Sequence, residues 1–238
     1  MEAAPAILNS MERMQPIVHQ TLSARVYQDL RELIMSGQLQ PGERLTLAGM
    51  AAALGTSAMP VREAISKLAA DEALEILRNK SVRVPVMTRS RFQELVVIRL
   101  VVEGLAVETA ARRITGEQLS ALTALEKAFA QEIVLAKPDV NQIIQINKQL
   151  HFTAYAAAGM PTLSSLIEGL WLRIGPVLNL DLRNSASRRH SDLPSVTAHH
   201  ALVNALRAGD GGAAKAALAR DIESAAEVIL AGNGLRPD

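Results

Sequence analysis

The chain has 238 residues, 49% of them hydrophobic but only 3% aromatic, and a formal net charge of +1. That length favours two domains over one small module, and the near-zero charge gives no overall electrostatic signal for nucleic acid. The absence of cysteine excludes disulfides and thiolate metal sites.

Residues 1–19 carry little pattern and read as an N-terminal arm, without the apolar run of a signal peptide. Thr21 to Met35 is a predicted helix with Leu22, Val26, Leu30, Leu33 and Ile34 on one face, ended by Gly37. Thr46 is an N-cap for a short helix reaching Leu54, and Gly55 supplies the left-handed residue that closes it. Ser57 then caps a second helix, with Pro60 in its first turn where a missing donor costs nothing. Val61, Ala64, Ile65 and Leu68 share its apolar back, while Met59, Arg62 and Ser66 face the other way. An apolar back on a partner helix, with short polar groups and an arginine facing out, is the layout of a recognition helix. Leu74–Arg78 and Ser81–Val84 alternate around Asn79 and Lys80, the pattern of a β-hairpin. Arg78, Lys80 and Arg83 give that hairpin positive charge where a phosphate backbone would lie. Between Gln20 and Thr88, eight Lys and Arg stand against seven Asp and Glu, so attraction to DNA has to come from placement of charge.

Pro85 to Ser90 forms an exit and a polar connector, dividing a head over 20–87 from a second domain over 91–232, with 88–90 as linker and 233–238 as a tail. The second domain reads as almost wholly helical. Its first helix spans Arg91 to Ile114, and Thr115-Gly116-Glu117-Gln118 is a capping box for the next, which stops before Pro138. Asp139 caps a third helix running to Gly159, and Pro161 opens a fourth that Gly175-Pro176 should kink or break. Asn184 to Asp192 is polar and irregular; Pro194–Arg207 and Gly212–Leu230 are the last helices. No apolar stretch reaches the length of a membrane span, and a location in the cytoplasm is expected. The fold class is therefore mostly α: a winged helix-turn-helix followed by an all-α bundle of six or seven helices.

Pro41-Gly42-Glu43-Arg44-Leu45, followed by Pro60-Val61-Arg62-Glu63-Ala64-Ile65, resembles the winged helix-turn-helix of GntR-type bacterial transcription regulators, from about Val26 to Val84. The resemblance implies DNA contacts from Thr46, Ser57, Met59, Arg62, Ser66, Arg78, Asn79 and Lys80. The chain departs from the family at Ala58 and Ala48, where arginines are usual, and at the wing turn, which lacks glycine. Those losses remove candidates for bidentate guanine contacts and leave Arg62 as the principal one. Leu150-His151-Phe152, Ala158-Gly159, Ala198-His199-His200 and Ala205-Leu206-Arg207-Ala208-Gly209-Asp210 make the second domain similar to the ligand-sensing domain of the FadR branch. Many members of that branch hold a divalent metal with an aspartate and three histidines. Carried over, those positions fall on Asn147, His151, His199 and Asp221, so two of the four differ.

Asn147 and His151 lie one helical turn apart on a shared face, as two ligands of one ion must. Two imidazoles, a carboxylate and an amide oxygen suit Zn, Ni or Mn with positions open for water or an effector. The alternative is that His151 and His199 are hydrogen-bonded pocket residues with no metal. Arg99 and Glu103, four apart in an apolar run, form either a structural pair or, as the resemblance implies for Arg99, a fork for an effector carboxylate. Tyr155 and Arg173 are further effector-binding candidates. The chain lacks the common hydrolase, P-loop and dinucleotide motifs, so an enzyme is not expected. A two-histidine-one-carboxylate enzyme or an architectural DNA-binding protein is the alternative. The expectation is a homodimeric regulator, a repressor of a palindromic operator, released by a small organic acid.

Overall fold

The computed structural model describes residues 21–78, 81–185 and 194–238, without the side chains of 180–185. In chain order the elements are α1 (Leu22–Met35), β1 (Arg44–Leu45), α2 (Leu47–Ala53), α3 (Ala58–Ala70), β2 (Glu75–Ile76) and β3 (Val82–Arg83). Then come α4 (Arg89–Ala110), α5 (Gly116–Ile133), α6 (Val140–Ala156), α7 (Pro161–Ser185), α8 (Pro194–Ala208) and α9 (Gly211–Ala231).

The head packs α1 against α3 over a core of Val26, Leu30, Ile34, Val61, Ala64, Ile65 and Leu68, the apolar faces the spacing predicts. Thr46 caps α2 by accepting from Gly49 N–H. Ser57 stands at the N-cap of α3 with extended backbone, but its side chain makes no capping bond, contrary to expectation. The wing is a three-stranded antiparallel sheet of order β1-β3-β2, with Leu45 opposite Val82 and Glu75 opposite Arg83. Strand β1 is additional to the predicted hairpin; Val84 N–H and Gly42 N–H extend its pairing to Glu43 and Val84 carbonyls. A two-residue strand carries too little alternation to be read from sequence.

In the helical domain Thr115 and Gln118 form the predicted reciprocal capping box, and Asp139 caps α6 through Asn141 and Gln142 N–H. Helix α4 ends at Ala110, short of the expected Ile114. Helix α7 runs through Gly175 and Pro176 as one helix, so of the expected kink or break the break does not occur. Tertiary packing holds the helix: Gly175 lies against the α1 backbone, where an added Cβ would stand 2.9 Å from Met35 Cα. Antiparallel α8 and α9 are joined at Gly209-Asp210, with Asp210 capping α9 through Ala213 N–H.

Two further contacts tie the parts together. Arg31 of α1 pairs with Glu168 of α7 at 2.7 Å, and Glu32 of α1 pairs with Lys148 of α6. The residues expected as a tail fold back on the linker. Arg236 N–H donates to Met87 carbonyl at 2.9 Å, and Arg89 N–H donates to Arg236 carbonyl at 3.1 Å. Ser90 N–H and hydroxyl both donate to the Asp238 carboxylate, and Leu235 is buried.

Candidate functional site

Of the residues expected to meet DNA, three lie along one face of α3. Met59, Arg62 and Ser66 are exposed along α3, opposite its buried face. Arg62 and Ser66 line a cleft of about 310 Å³ between α3 and the wing, with Ile76 and Val82 as its apolar wall. The Ser66 hydroxyl donates to the Arg62 carbonyl, and the Thr46 side chain accepts within its cap, so each has a local bond as well as an exposed side. Arg78 is exposed, and Asn79 and Lys80 lie outside the described residues. Arg83 does not add free positive charge to the wing: its Nε and Nη2 both donate to Glu75 on the neighbouring strand. Cross-strand pairing at that register neutralises it.

The second constellation is inside the helical domain. Helix α6 presents Asn147 and His151 one turn apart, α8 presents His199 and α9 presents Asp221; all but Asp221 are buried. His151 Nε2 lies 3.2 Å from Asp221 Oδ2, and His199 Nε2 lies 3.5 Å from Asp221 Oδ1. One donor atom from each of the three residues falls within 4.8 Å of the others. Ligands about 2.1 Å from a common ion stand about 3.0–3.4 Å apart, so these separations fit metal chemistry. His199 is 1% exposed, yet neither ring nitrogen has a hydrogen-bond partner. A buried polar group without a partner points to an ion or water at that position. Burial works against ionisation of Asp221, but the His199 and His151 imidazoles outweigh it and hold the carboxyl well below the usual carboxylate range.

Behind this cluster stands a buried polar network. Arg99 Nε and Nη2 donate to Glu103 at 2.6 and 3.2 Å, and both side chains are buried. Burial works against the Arg99 charge, and the Glu103 carboxylate more than compensates, raising the guanidinium above its ordinary value. Glu103 also accepts from the Tyr155 hydroxyl and, at 3.1 Å, from Trp171 Nε1. Burial, with Glu103 beside it, pushes the Tyr155 phenol well up, so it remains a donor to that carboxylate. The Tyr155 oxygen is therefore left to accept from His151 Nδ1–H at 3.0 Å. That relay orients the His151 ring and, were an ion held between Nε2 and Asp221, would keep the proton on Nδ1, the role an outer residue plays behind a metal-ligating histidine.

Arg99, Asn147, His151 and Asp221 line one small cavity, closed by Trp171, Leu178, Ser195 and Ile222, with free space of about 30 Å³. That is room for about one water. The structure thus brings together Asn147, His151, His199, Asp221 and Arg99, with Tyr155 and Glu103 behind them. Arg173 is not among them: it stands at the junction with the head, donating to Asp71 carbonyl at 3.1 Å. Sequence reading missed Trp171, whose ring sits 5.2 Å from the Arg99 guanidinium and 5.4 Å from the His151 ring. Its being the single tryptophan was the available signal.

A head that presents a helix to DNA, fused to a helical domain with a buried polar cavity, defines a transcription regulator with a ligand-binding domain. The model of the bacterial regulatory proteins of the gntR family matches residues 22–84, and that of the FCD domain matches 94–224. The chain belongs to the gntR family, in its FadR-like, FCD-bearing branch. It is 33% identical over 194 residues to the HTH-type transcriptional regulator McbR of Escherichia coli (strain K12), covering 81% of this chain and 85% of that protein. The solved structure of E. coli McbR/YncC superposes with a TM-score of 0.81 at 30% identity, over 90% of this chain and 99% of that one. A GntR regulator from Rhodococcus sp. RHA1 superposes with a TM-score of 0.71 at 26% identity, over 88% and 98%. The "Probable D-xylose utilization operon transcriptional repressor" of Paenarthrobacter nicotinovorans is 27% identical over 217 residues, 90% of this chain and 91% of that protein. These relatives are transcriptional regulators. Among the described residues, no helix is long and apolar enough to cross a membrane.

Proposed function

We propose that this regulator is a homodimeric repressor acting on a palindromic operator, released when a small organic acid enters the helical domain. The observation that carries the reading is the convergence of Arg99, Asn147, His151, His199 and Asp221 from α4, α6, α8 and α9 on one internal site. Asn147, His151, His199 and Asp221 would hold a divalent ion, Zn, Ni or Mn, with the approach of the His151 and His199 Nε2 atoms to the Asp221 carboxylate as the main support. Such an ion supplies a Lewis-acidic anchor for carboxylate oxygens. Arg99, already oriented by Glu103, keeps further N–H donors with which to meet an anion.

Repression is favoured by the name of the Paenarthrobacter relative. A homodimer is supported by α4, where Val97, Ile98, Val101 and Leu105 form an exposed apolar stripe on one helix face. A symmetric pair of heads would read a palindrome. In the head, Arg62, Met59 and Ser66 meet bases, while Thr46, Ser57, Arg78, Asn79 and Lys80 meet the backbone. An effector that binds the non-DNA-binding arrangement more tightly lowers DNA affinity by the ratio of its two affinities.

Selection of duplexes from a randomised pool supplies the operator, and a panel of organic acids, with and without Zn²⁺, is then screened for release. Substituting both His151 and His199 by Ala should leave DNA binding intact and abolish release. Normal release from that double variant would overturn the reading.

A further inference from the structure

Helix α7 makes two contacts of one kind with the head. Helices α1 and α3 end alike, each in a Schellman-type turn closed by a left-handed residue, Gly37 at φ +62° and Glu72 at φ +60°. In α1, Gln38 N–H reaches back to Leu33 carbonyl; in α3, Ala73 N–H reaches back to Leu68 carbonyl. Such turns leave a terminal carbonyl without an intrahelical partner. At the end of α1 that carbonyl is Met35, and it accepts from Asn179 Nδ2 at 3.0 Å. At the end of α3 the acceptor is one position further along the turn, the C-cap carbonyl of Asp71, which accepts from Arg173 Nε at 3.1 Å. Both donors belong to α7.

Other features secure the same arrangement. Asn179 is buried, and its amide also donates to Gly175 carbonyl at 2.9 Å, which fixes its direction. Gly175 lets the α1 backbone lie directly on α7. Glu72 places its carboxylate 3.0 Å from Arg91 Nη2 and 4.0 Å from Arg173 Nη1, both from the helical domain. On the neighbouring face of α7, Trp171 and Leu178 form part of the wall of the polar cavity.

We infer that Arg173 and Asn179 are positioning residues: from α7 they hold the C-terminal ends of α1 and of the recognition helix, and so set the orientation in which Arg62 meets DNA. The cavity's free space, about 30 Å³, holds about one water, so a metabolite enters only when a wall moves. Displacement of Trp171 and Leu178 moves the helix that carries both donors. The drive from the cavity rests on the sensor reading above; the hold on the head does not.

The chain has no cysteine, so single introduced cysteines take spin labels cleanly. Labels at exposed Ala70→Cys on α3 and Lys127→Cys on α5 of the full chain, diluted with unlabelled chains, report the distance from head to helical domain. One narrow distance distribution is expected for the parent protein. Combined Arg173→Ala and Asn179→Ala should broaden it or displace it by about 1–2 Å or more, the scale of helix shifts at interfaces. Affinity for a duplex selected by the parent should fall at least about fivefold, the lower end of usual coupling. Saturating duplex should narrow the distribution again, because DNA then holds the head; an unfolded head would not recover. Gly175→Ala is the second variant. It removes neither hydrogen bond but pushes Met35 outward, and should displace the distance without broadening it. Unchanged distances and affinity in both variants overturn the inference, as does broadening that duplex does not reverse. Failure of Zn²⁺ to bind the parent protein removes the metal reading and leaves the hold on the head standing.

Discussion

Glu103→Gln measures what the buried carboxylate contributes. Glu103 is fully buried and accepts from Arg99 Nε at 2.6 Å, Arg99 Nη2 at 3.2 Å, Trp171 Nε1 at 3.1 Å and the Tyr155 hydroxyl. Glutamine keeps one acceptor oxygen and turns an NH₂ toward the remaining donors. The Arg99 guanidinium would then be buried with only the more distant Asp221 carboxylate as counter-charge. Removing one partner of a buried ion pair costs about 3–5 kcal/mol. The donor left facing the new amide belongs to the same loss and is not added in full. The expected destabilisation is therefore about 4 kcal/mol. Urea unfolding measures it, followed by far-UV dichroism and by fluorescence of Trp171, the single tryptophan and a member of the network. Arg99→Met combined with Glu103→Gln should be less destabilised than Glu103→Gln alone, because no unpaired charge then remains inside. A loss below about 1 kcal/mol in the single variant, or a double variant as unstable as the sum of its parts, would refute the reasoning.

Other outcomes are equally open to measurement. Arg62→Ala should weaken binding to the selected duplex by about 1–3 kcal/mol and relax preference at the base pair it meets, with unchanged thermal unfolding; equal affinity for all sequences tested would remove Arg62 from base readout. Val101→Glu, in the middle of the exposed α4 stripe, should shift a dimer toward monomer in sedimentation velocity without unfolding it; a dimer of parent affinity would place the interface elsewhere. Burial works against ionisation of Glu32, but Lys148 and Gln145 outweigh it and lower its value from 4.5. A lowered carboxyl stabilises the fold fully above that ordinary value and loses its contribution as pH falls through the folded one. Glu32→Gln should therefore reduce stability near pH 7 by under about 1 kcal/mol, the pair being half-exposed, and by less at an acid pH below its lowered value. Equal losses at both values would show that packing, not charge, is at stake.

What the sequence disclosed was whatever a few neighbouring residues decide. Thr115 and Gln118 are three apart and bond to each other; Asp139 caps the turn directly after it; the apolar back of α3 repeats within one helix. The i,i+4 spacing likewise paired Arg99 with Glu103 and aligned Asn147 with His151. The misreadings have a common origin in contacts between distant segments. Gly175 read as a break because glycine before proline weakens a helix in isolation, whereas here it makes room for α1. Arg173 read as an effector-binding candidate, yet α7 turns it toward Asp71. Asn179 carried no signal, since the carbonyl it meets is 144 residues away. Arg83 looked like free charge until the strand register set Glu75 opposite it.

The return of Arg236 and Asp238 to Met87–Ser90 gives this short segment a mechanical part in joining the two domains. It works as a splint across the hinge: a pull on Asp238 would load the link between head and bundle. A reporter at that position would register the flexing of the hinge, and removal of residues 236–238 should free it while leaving the buried Leu235 in place.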